Sequence, residues 1–204
     1  MKHAPEIAVV AAFLPELEDF ERARHPSVSF ACLGIGLVDA ALGMERALVG
    51  WAKKPASVIL VGSCGAYPGS GLVIGDVVVP SRACLSSGDV AEGRAALLSA
   101  GAIDLDVELV TGLRGASHGG VVATTLGITT DDALASTMAR VSGAVIEHLE
   151  VWAVARVCGH HGVPFAAALG VANDVGPLGR EQWQVSHRVA ERAAASVVEA
   201  WLTR

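Results

Sequence analysis

The sequence has few aromatic and few charged residues, and these shortages exclude whole classes of protein. Aromatic residues make up 4% and charged residues 18% of the 204 residues, whereas 52% are hydrophobic. So apolar a composition excludes a disordered chain. The net charge is −6, and no stripe of lysines and arginines is present that could neutralise a nucleic-acid backbone. We therefore expect a small, neutral partner and no nucleic acid.

Long hydrophobic runs and paired cysteines are also missing. The most apolar segments, 58–62 and 163–172, are much shorter than the roughly 20 residues that a membrane-spanning helix needs, so we expect no membrane association. The run 7–14 continues into acidic residues, so we interpret it as a first strand, not a signal peptide. The cysteines are widely spaced and form no CxxC pair, which indicates reduced core thiols in a cytoplasmic protein: Cys32, Cys64, Cys84 and Cys158.

Short apolar runs alternate with amphipathic segments, which predicts an α/β fold, and the length suits a single domain over residues 1–204. Strands are expected at 7–12, 28–33, 57–62, 76–80, 107–111, 121–126, 144–147 and 165–171. Helices are expected at 14–24, 37–53, 131–141 (capped by Thr129 or Thr130), 149–161 and 180–202. Most strands are continuously apolar, which is typical of strands covered on both faces. The last helix has an apolar stripe made by Val185, Val189, Ala193, Val197 and Trp201.

Glycine pairs follow several strands, but they fit no common cofactor motif. Gly34-x-Gly36 lacks the rest of a dinucleotide fingerprint, and Ser63 does not lie in a GxSxG elbow. No HExxH motif or carboxylate cluster with metal-ligand spacing is present. We expect neither a metal nor a cofactor.

Four collinear segments carry a resemblance to a known family. They are AVVAAFLPELEDF (8–20), CLGIGLVDAALGMERAL (32–48), VILVGSCGAYPGSGLVIGDVVVP (58–80) and EHLEVWAVARVCGHHGVPFAAALGVANDVGP (147–177). Together they resemble the nucleoside phosphorylase and nucleosidase family, in its methylthioadenosine/S-adenosylhomocysteine nucleosidase and futalosine hydrolase branch. The resemblance implies a three-layer α/β/α sandwich with a central mixed β-sheet, a homodimer or larger homo-oligomer, and cleavage of the N-glycosidic bond of a purine-type nucleoside.

The resemblance also implies roles for particular residues. Glu16 would polarise the attacking water, Asp174 would hydrogen-bond or protonate the base, and Glu150 would hold the ribose hydroxyls with Leu149 packed on the sugar. The substrate-binding site would further include His148, Ser63, Cys64, Gly65, Phe13 and Thr130. Without the resemblance, each acid has a simpler interpretation: Glu16 as an exposed helix-start residue, Glu150 as a paired structural carboxylate, and Asp174 as a turn residue.

The residues favour water over phosphate as the acceptor. Related phosphorylases have an arginine at the position of Leu60, and Glu16 would repel a phosphate. We interpret Arg22, Arg24 and Arg46 as surface charges. A phosphorylase with unusual anion ligands stays an alternative.

Two departures from the family pattern leave a catalytically degenerate nucleoside-binding protein as a further alternative. His148 stands where many members have glutamate, and 126–131 lacks the aromatic residue that commonly stacks on the base. Phe13, Tyr67 and Trp152 are other candidates for the pocket wall.

Overall fold

Residues 7–23, 25–97 and 101–204 are described by a computed structural model, in which nine strands form one sheet. The strands are β1 (Ile7–Ala11), β2 (Val28–Cys32), β3 (Ser57–Ala66), β4 (Val77–Val78), β5 (Arg82–Leu85), β6 (Ala102–Asp104), β7 (Val121–Thr124), β8 (Ile146–His148) and β9 (Phe165–Asp174). Their order is β2-β1-β3-β8-β7-β5-β6, with β9 also paired to β3 and β4 paired to β9.

The sheet is mixed because its longest strands change partners along their length. The first part of β3 lies parallel to β1, the whole of β3 lies parallel to β9, and its last two residues pair antiparallel with β8. The register of β3 against β9 shifts between Cys64 and Gly65. Such an irregularity bends a strand locally, and here it lies at the carboxyl end of β3.

Seven α-helices and one short 3₁₀ helix connect the described strands. They are the 3₁₀ helix Leu14–Leu17, α1 (Glu18–Ala23), α2 (Leu37–Gly50), α3 (Gly88–Ala91), α4 (Val107–Arg114), α5 (Asp132–Ser142), α6 (Val151–His160) and α7 (Gly179–Leu202). Helix α7 packs along β3 and β9, whereas α6 packs against α2 and contacts β5, β6 and β7. The predicted α/β sandwich with a central mixed sheet is confirmed.

The core lies between the strands and these helices, and small residues let the layers approach closely. Residues 58–61 and 166–169 are completely buried, as expected for strands covered on both faces. A Cβ on Gly170 would lie 2.0 Å from the Ala190 carbonyl oxygen of α7, and one on Gly43 would lie 1.9 Å from the Leu33 carbonyl oxygen. Backbone therefore fills the space where side chains would otherwise separate the layers.

Several sequence expectations are wrong in detail. Residues 107–111 begin helix α4 instead of a strand, because the Asp106 carboxylate accepts hydrogen bonds from the Glu108 and Leu109 N–H groups and caps the helix. The strands β5 and β6 and the short α3 were not predicted. Helix α5 is capped by Asp131, not by Thr129 or Thr130.

The apolar stripe predicted for the last helix is only in part its buried face, because Val197 and Trp201 pack against the core but the valines of the first half do not. Val185 and Val189 are 84% and 58% exposed, whereas the helix buries Ala190, Ala194 and Val198. Alanines allow α7 to lie close to β9, so the larger valines remain outside. All four cysteines are free, but Cys32 is exposed, so it is not a core thiol. In the described part of the chain, no helix combines the length and apolarity needed to cross a membrane.

Candidate active site

A cleft of about 460 Å³ opens where β1, β3, β8 and β9 end and where α6 and α7 begin. Its volume lies in the range of small-molecule sites. The predicted site residues that line it are Phe13, Glu16, Ser63, Cys64, Gly65, His148, Leu149 and Glu150. The tertiary structure therefore brings together predicted residues from three widely separated parts of the sequence.

Glu16 is held in the cleft by the backbone around it. It lies in the 3₁₀ helix that directly follows β1, where Pro15 fits the first turn. Its Oε2 accepts a hydrogen bond from the Phe13 N–H (3.1 Å), and its Oε1 accepts one from the Ser63 N–H (3.2 Å). Burial outweighs these interactions and raises the pKa of Glu16 to about 7. A carboxyl with this pKa can accept a proton near neutral pH, as a general base must.

Gly62 makes room for the Glu16 carboxylate. A Cβ at this position would lie 2.9 Å from Glu16 Oε1, closer than ordinary van der Waals contact. Ser63, the next residue, connects Glu16 to α7, because its Oγ accepts a hydrogen bond from Trp183 Nε1 (3.0 Å).

Glu150 and His148 form a buried pair on the opposite wall. Glu150 is the first residue before α6, and its Oε1 accepts a hydrogen bond from the Gly36 N–H (2.6 Å). Its Oε2 lies 3.0 Å from His148 Nδ1. Burial raises the pKa of Glu150, but the His148 imidazole and the Gly36 N–H lower it further than burial raises it, so the net pKa lies below its usual value. The carboxylate is therefore ionised at neutral pH.

Glu147 is a buried lining residue that the sequence analysis did not single out. Its carboxylate accepts hydrogen bonds from the Tyr67 hydroxyl (2.9 Å), the Thr129 hydroxyl (2.6 Å) and the Thr129 N–H (2.9 Å). These donors compensate for burial of the charge, and they fix the loop before α5 against β8. Thr129 lines the cleft as a result, whereas the predicted Thr130 is exposed and lies outside the lining.

At the end of β9 the structure differs from the sequence expectation. Asn173 lines the cleft, whereas the predicted Asp174 is exposed and lies outside the lining. Successive side chains of a strand point to opposite faces, and Gln182 holds Asp174 on the outer face. Its Oε1 accepts from the Asp174 N–H (2.8 Å), and its Nε2 donates to Asp174 Oδ2 (3.1 Å). Asp174 therefore lies outside the cavity that Glu16 and Glu150 share, and its role toward the base stays a prediction.

Glycines create the space that Asn173 occupies. A Cβ on Gly65 would lie 2.9 Å from Asn173 Nδ2, and a Cβ on Gly179 would lie 3.0 Å from the same atom. The amide is thus inserted between the end of β3 and the start of α7.

An aromatic residue of the cleft wall comes from an unexpected element. Trp183 on α7 lines the cleft and stacks on His187, with ring centroids 4.4 Å apart. Of the three aromatic candidates, Phe13 lines the cleft, whereas Tyr67 is buried behind it and Trp152 is half-buried outside the lining. Trp183 lies on α7 one turn after Gly179, and no pattern in the sequence indicates that its side chain faces the cleft.

Cations are scarce in the cleft. Leu60 is completely buried and Arg46 is exposed, while the Arg22 side chain and Arg24 lie outside what the structure describes. The lining contains one arginine, Arg180, which is exposed at the start of α7. Among the described residues, no group of three histidine, cysteine or acidic side chains is arranged to hold a metal ion.

Comparisons with known proteins agree with this architecture. The 5′-methylthioadenosine/S-adenosylhomocysteine nucleosidase from Helicobacter pylori superposes with a TM-score of 0.87 at 14% identity, covering 99% of both chains. The futalosine hydrolase of H. pylori superposes with a TM-score of 0.86 at 14% identity, covering 100% of this chain and 99% of the other. The corresponding nucleosidase from Neisseria meningitidis gives 0.82 at 19% identity, over 96% and 97% of the two chains.

The sequence comparisons complement these superpositions. No curated protein sequence matches the chain significantly. A family model, that of the phosphorylase superfamily, matches residues 7–203. Because this match spans almost the entire sequence, the protein belongs to the phosphorylase superfamily.

Proposed function

We propose that the chain is a nucleosidase, which hydrolyses the N-glycosidic bond of a purine-type nucleoside with water. The observation that carries this proposal is Glu16, a buried carboxyl whose pKa is raised to about 7 and which lines a cleft of nucleoside size. Solved structures similar to this chain include proteins named as nucleosidases and as a futalosine hydrolase, which supports hydrolysis of an N-glycosidic bond.

The proposed reaction needs one base and an environment that tolerates positive charge on the sugar. Glu16 takes a proton from water as the water oxygen bonds to the anomeric carbon. The bond from that carbon to the base nitrogen breaks, and its electron pair leaves with the base, which then takes up a proton. The products are the free sugar and the free base. The ionised Glu150 on the facing wall would stabilise the ribosyl cation and accept hydrogen bonds from its hydroxyls.

The leaving base needs a hydrogen-bond donor, for which β9 offers two residues. Asn173 lies in the cleft and can donate a hydrogen bond, but an amide cannot supply a proton. Asp174 could supply one only if its hydrogen bonds to Gln182 broke and its side chain turned inward. Comparing Asn173→Ala with Asp174→Asn distinguishes these roles: the residue that assists departure is the one whose change lowers kcat by about 10²-fold or more.

The shortage of cations favours water over phosphate. Phosphate binding generally uses arginine side chains with their two-pronged geometry, and the cleft offers Arg180 alone. The carboxylates of Glu16, Glu147 and Glu150 also line the cleft and would repel the anion.

The direct test is a nucleoside panel, including 5′-methylthioadenosine and futalosine, incubated with and without inorganic phosphate. We expect free base and free sugar at the same rate in both conditions, and we expect Glu16→Gln to lower the rate of release by about 10²-fold or more. Formation of sugar 1-phosphate would show a phosphorylase instead. Tight binding without base release between about pH 5 and pH 8 would show a degenerate binding protein.

We also propose that the chain forms a homodimer or larger homo-oligomer. Large apolar side chains are exposed beside the cleft and on α2 and α7, namely Ile35, Val38, Leu42, Val185 and Val189. Such clusters commonly mark protein interfaces. Light scattering coupled to size-exclusion chromatography checks this, and a mass of 20.8 kDa, that of one chain, would contradict it.

We further propose a cytoplasmic location, because all four cysteines are free and therefore suit a reducing compartment. Fractionation of the cells that produce the protein tests this, and recovery outside the cytoplasm would contradict it.

A further inference from the structure

His148 is a buried imidazole that the reaction proposed above does not yet use. Its side chain is 5% exposed, and it lines the cleft together with Glu16 and Glu150. Its Nδ1 lies 3.0 Å from Glu150 Oε2, while its Nε2 has no hydrogen-bond partner among the described residues. One nitrogen is thus fixed by a carboxylate and the other is free.

The surroundings of Nδ1 determine which nitrogen carries a proton. Nδ1 lies 3.2 Å from the Glu150 N–H, a donor, and 3.0 Å from Glu150 Oε2, an acceptor. A single nitrogen cannot serve both in one protonation state. Because Glu150 is ionised, the bond with the carboxylate is the stronger one and places a proton on Nδ1. A second proton on Nε2 then makes the ring a cation facing the cleft.

The neighbouring charges favour that cation. Burial lowers the pKa of His148, but Glu150 and Glu16 together raise it further, and the net pKa lies above its usual value. Glu147, the preceding residue of β8, also lines the cleft, but its carboxyl accepts hydrogen bonds from Tyr67 and Thr129.

Strand register places His148 near Glu16. Gly65 of β3 pairs with Glu147 of β8 in antiparallel register, and His148, the next residue of β8, lines the cleft together with Cys64. Ser63, which precedes Cys64 on β3, donates its N–H to the Glu16 carboxylate. His148 and Glu16 therefore occupy the same section of the cleft, on neighbouring elements.

Other groups around Glu16 do not supply a positive charge. From α7, Glu191 raises the pKa of Glu16, although Glu191 is itself bound by His187 (2.8 Å) and Arg188 (3.0 Å). The Arg188 guanidinium also binds Glu18 (2.7 Å). From β3 come the Ser63 N–H and the Cys64 thiol, which stays neutral because burial raises its pKa. His148 is the cation whose charge lowers the pKa of Glu16, whereas the Arg188 guanidinium, which also donates to the neighbouring Pro15 carbonyl (3.0 Å), is bound by Glu18 and Glu191.

We propose that His148 is a positioning residue that keeps Glu16 ionised: as an imidazolium held by Glu150, it provides the positive charge that the general base needs in order to release its own proton. The three side chains line the same cleft. This inference rests on the proposed role of Glu16. A glutamate at this position could not provide the same charge.

The first test is the pH dependence of kcat/KM in His148→Gln. Removing the cation raises the midpoint of the acidic limb by about one pH unit, the usual size of an effect from an opposite charge at close range. Activity lost at neutral pH returns in part at high pH, and His148→Glu shifts the limb further in the same direction. His161→Gln, which removes a surface imidazole paired with Glu45, leaves the limb in place. A His148→Gln enzyme with a lower rate and an unmoved limb would overturn the proposal.

The second test needs no activity. Carbon-13 NMR follows the Glu16 carboxyl, assigned by its loss in Glu16→Gln, through a pH titration of the substrate-free protein. Coupling between two titrating groups is reciprocal. We therefore expect His148→Gln to raise the Glu16 midpoint and Glu16→Gln to lower the His148 midpoint, followed by nitrogen-15 NMR, by a similar amount. If His148→Gln does not fold, Glu16→Gln alone decides, and an unchanged His148 midpoint overturns the inference. These titrations test the inference even if the protein cleaves no nucleoside.

Discussion

Replacing Glu16 with glutamine tests two properties of this side chain: its role as the general base, and the effect of its buried carboxyl on the free energy of unfolding. Glutamine keeps the size of the side chain and one carbonyl oxygen, but it cannot take a proton from water. We expect base release to fall by about 10²- to 10⁴-fold, the usual contribution of a general base. The amide cannot accept both backbone hydrogen bonds that the carboxylate accepts, which costs about 1 kcal/mol at every pH.

The pH dependence of stability has a sign that follows from burial. The pKa of Glu16 is about 7 in the folded chain, above its ordinary value of 4.5. Between these values the folded state holds a proton that the unfolded state has released, so the free energy of unfolding decreases as pH rises through this window. At 1.36 kcal/mol per pKa unit, the full loss is about 3 kcal/mol by pH 8. Glu16→Gln has no carboxyl group that titrates at this position, so its free energy of unfolding does not show this decrease. Relative to wild type, the variant becomes more stable by about 3 kcal/mol between about pH 4 and pH 8.

Urea unfolding of both proteins across this pH range measures the effect. The comparison uses the change in stability with pH, so the constant cost of the lost hydrogen bond cancels. Glu181→Gln, an exposed glutamate at the start of α7, is the matched control and should follow the wild-type curve. Parallel curves for wild type and Glu16→Gln would refute the claim that burial raises the pKa of Glu16.

Three further substitutions test the packing around the cleft. Gly62→Ala places a methyl group 2.9 Å from Glu16 Oε1. A displacement of the Glu16 carboxylate by about 1 Å should lower kcat by about 10²-fold and leave the melting temperature unchanged. Full activity of this variant would contradict the expectation. Gly170→Ala places a methyl group 2.0 Å from the Ala190 carbonyl oxygen and should lower the free energy of unfolding by about 3 kcal/mol or more. A melting curve like that of wild type would show that α7 can move away from β9 at little cost in free energy. Tyr67→Phe removes one donor to Glu147 and should lower that free energy by about 1 kcal/mol in urea titrations, whereas no change would indicate that the Thr129 donors suffice.

Much of the fold was readable from local sequence patterns. Continuous apolar runs located β1, β7 and β9, because strands covered on both faces contain few polar residues; the half-buried edge strand β2 was also located by its apolar residues. The short strand β5 and the edge strand β6 were missed, since they contain charged residues such as Arg82 and Asp104 that form an exposed salt bridge. Helix α4 was mistaken for a strand because Val107, Leu109 and Val110 also fit an apolar strand, and only the cap at Asp106 distinguishes the two.

The sequence determined by itself that Glu16 follows a buried strand and that Glu150 begins an apolar helix, because both facts depend on residues nearby in the chain. Tertiary structure alone decided that Asn173, not Asp174, faces the cleft, and that Trp183 reaches Ser63. It also decided the charge of His148 and the pKa of Glu16. Burial and electrostatic interaction sum over groups that are distant in sequence, so no local pattern contains them.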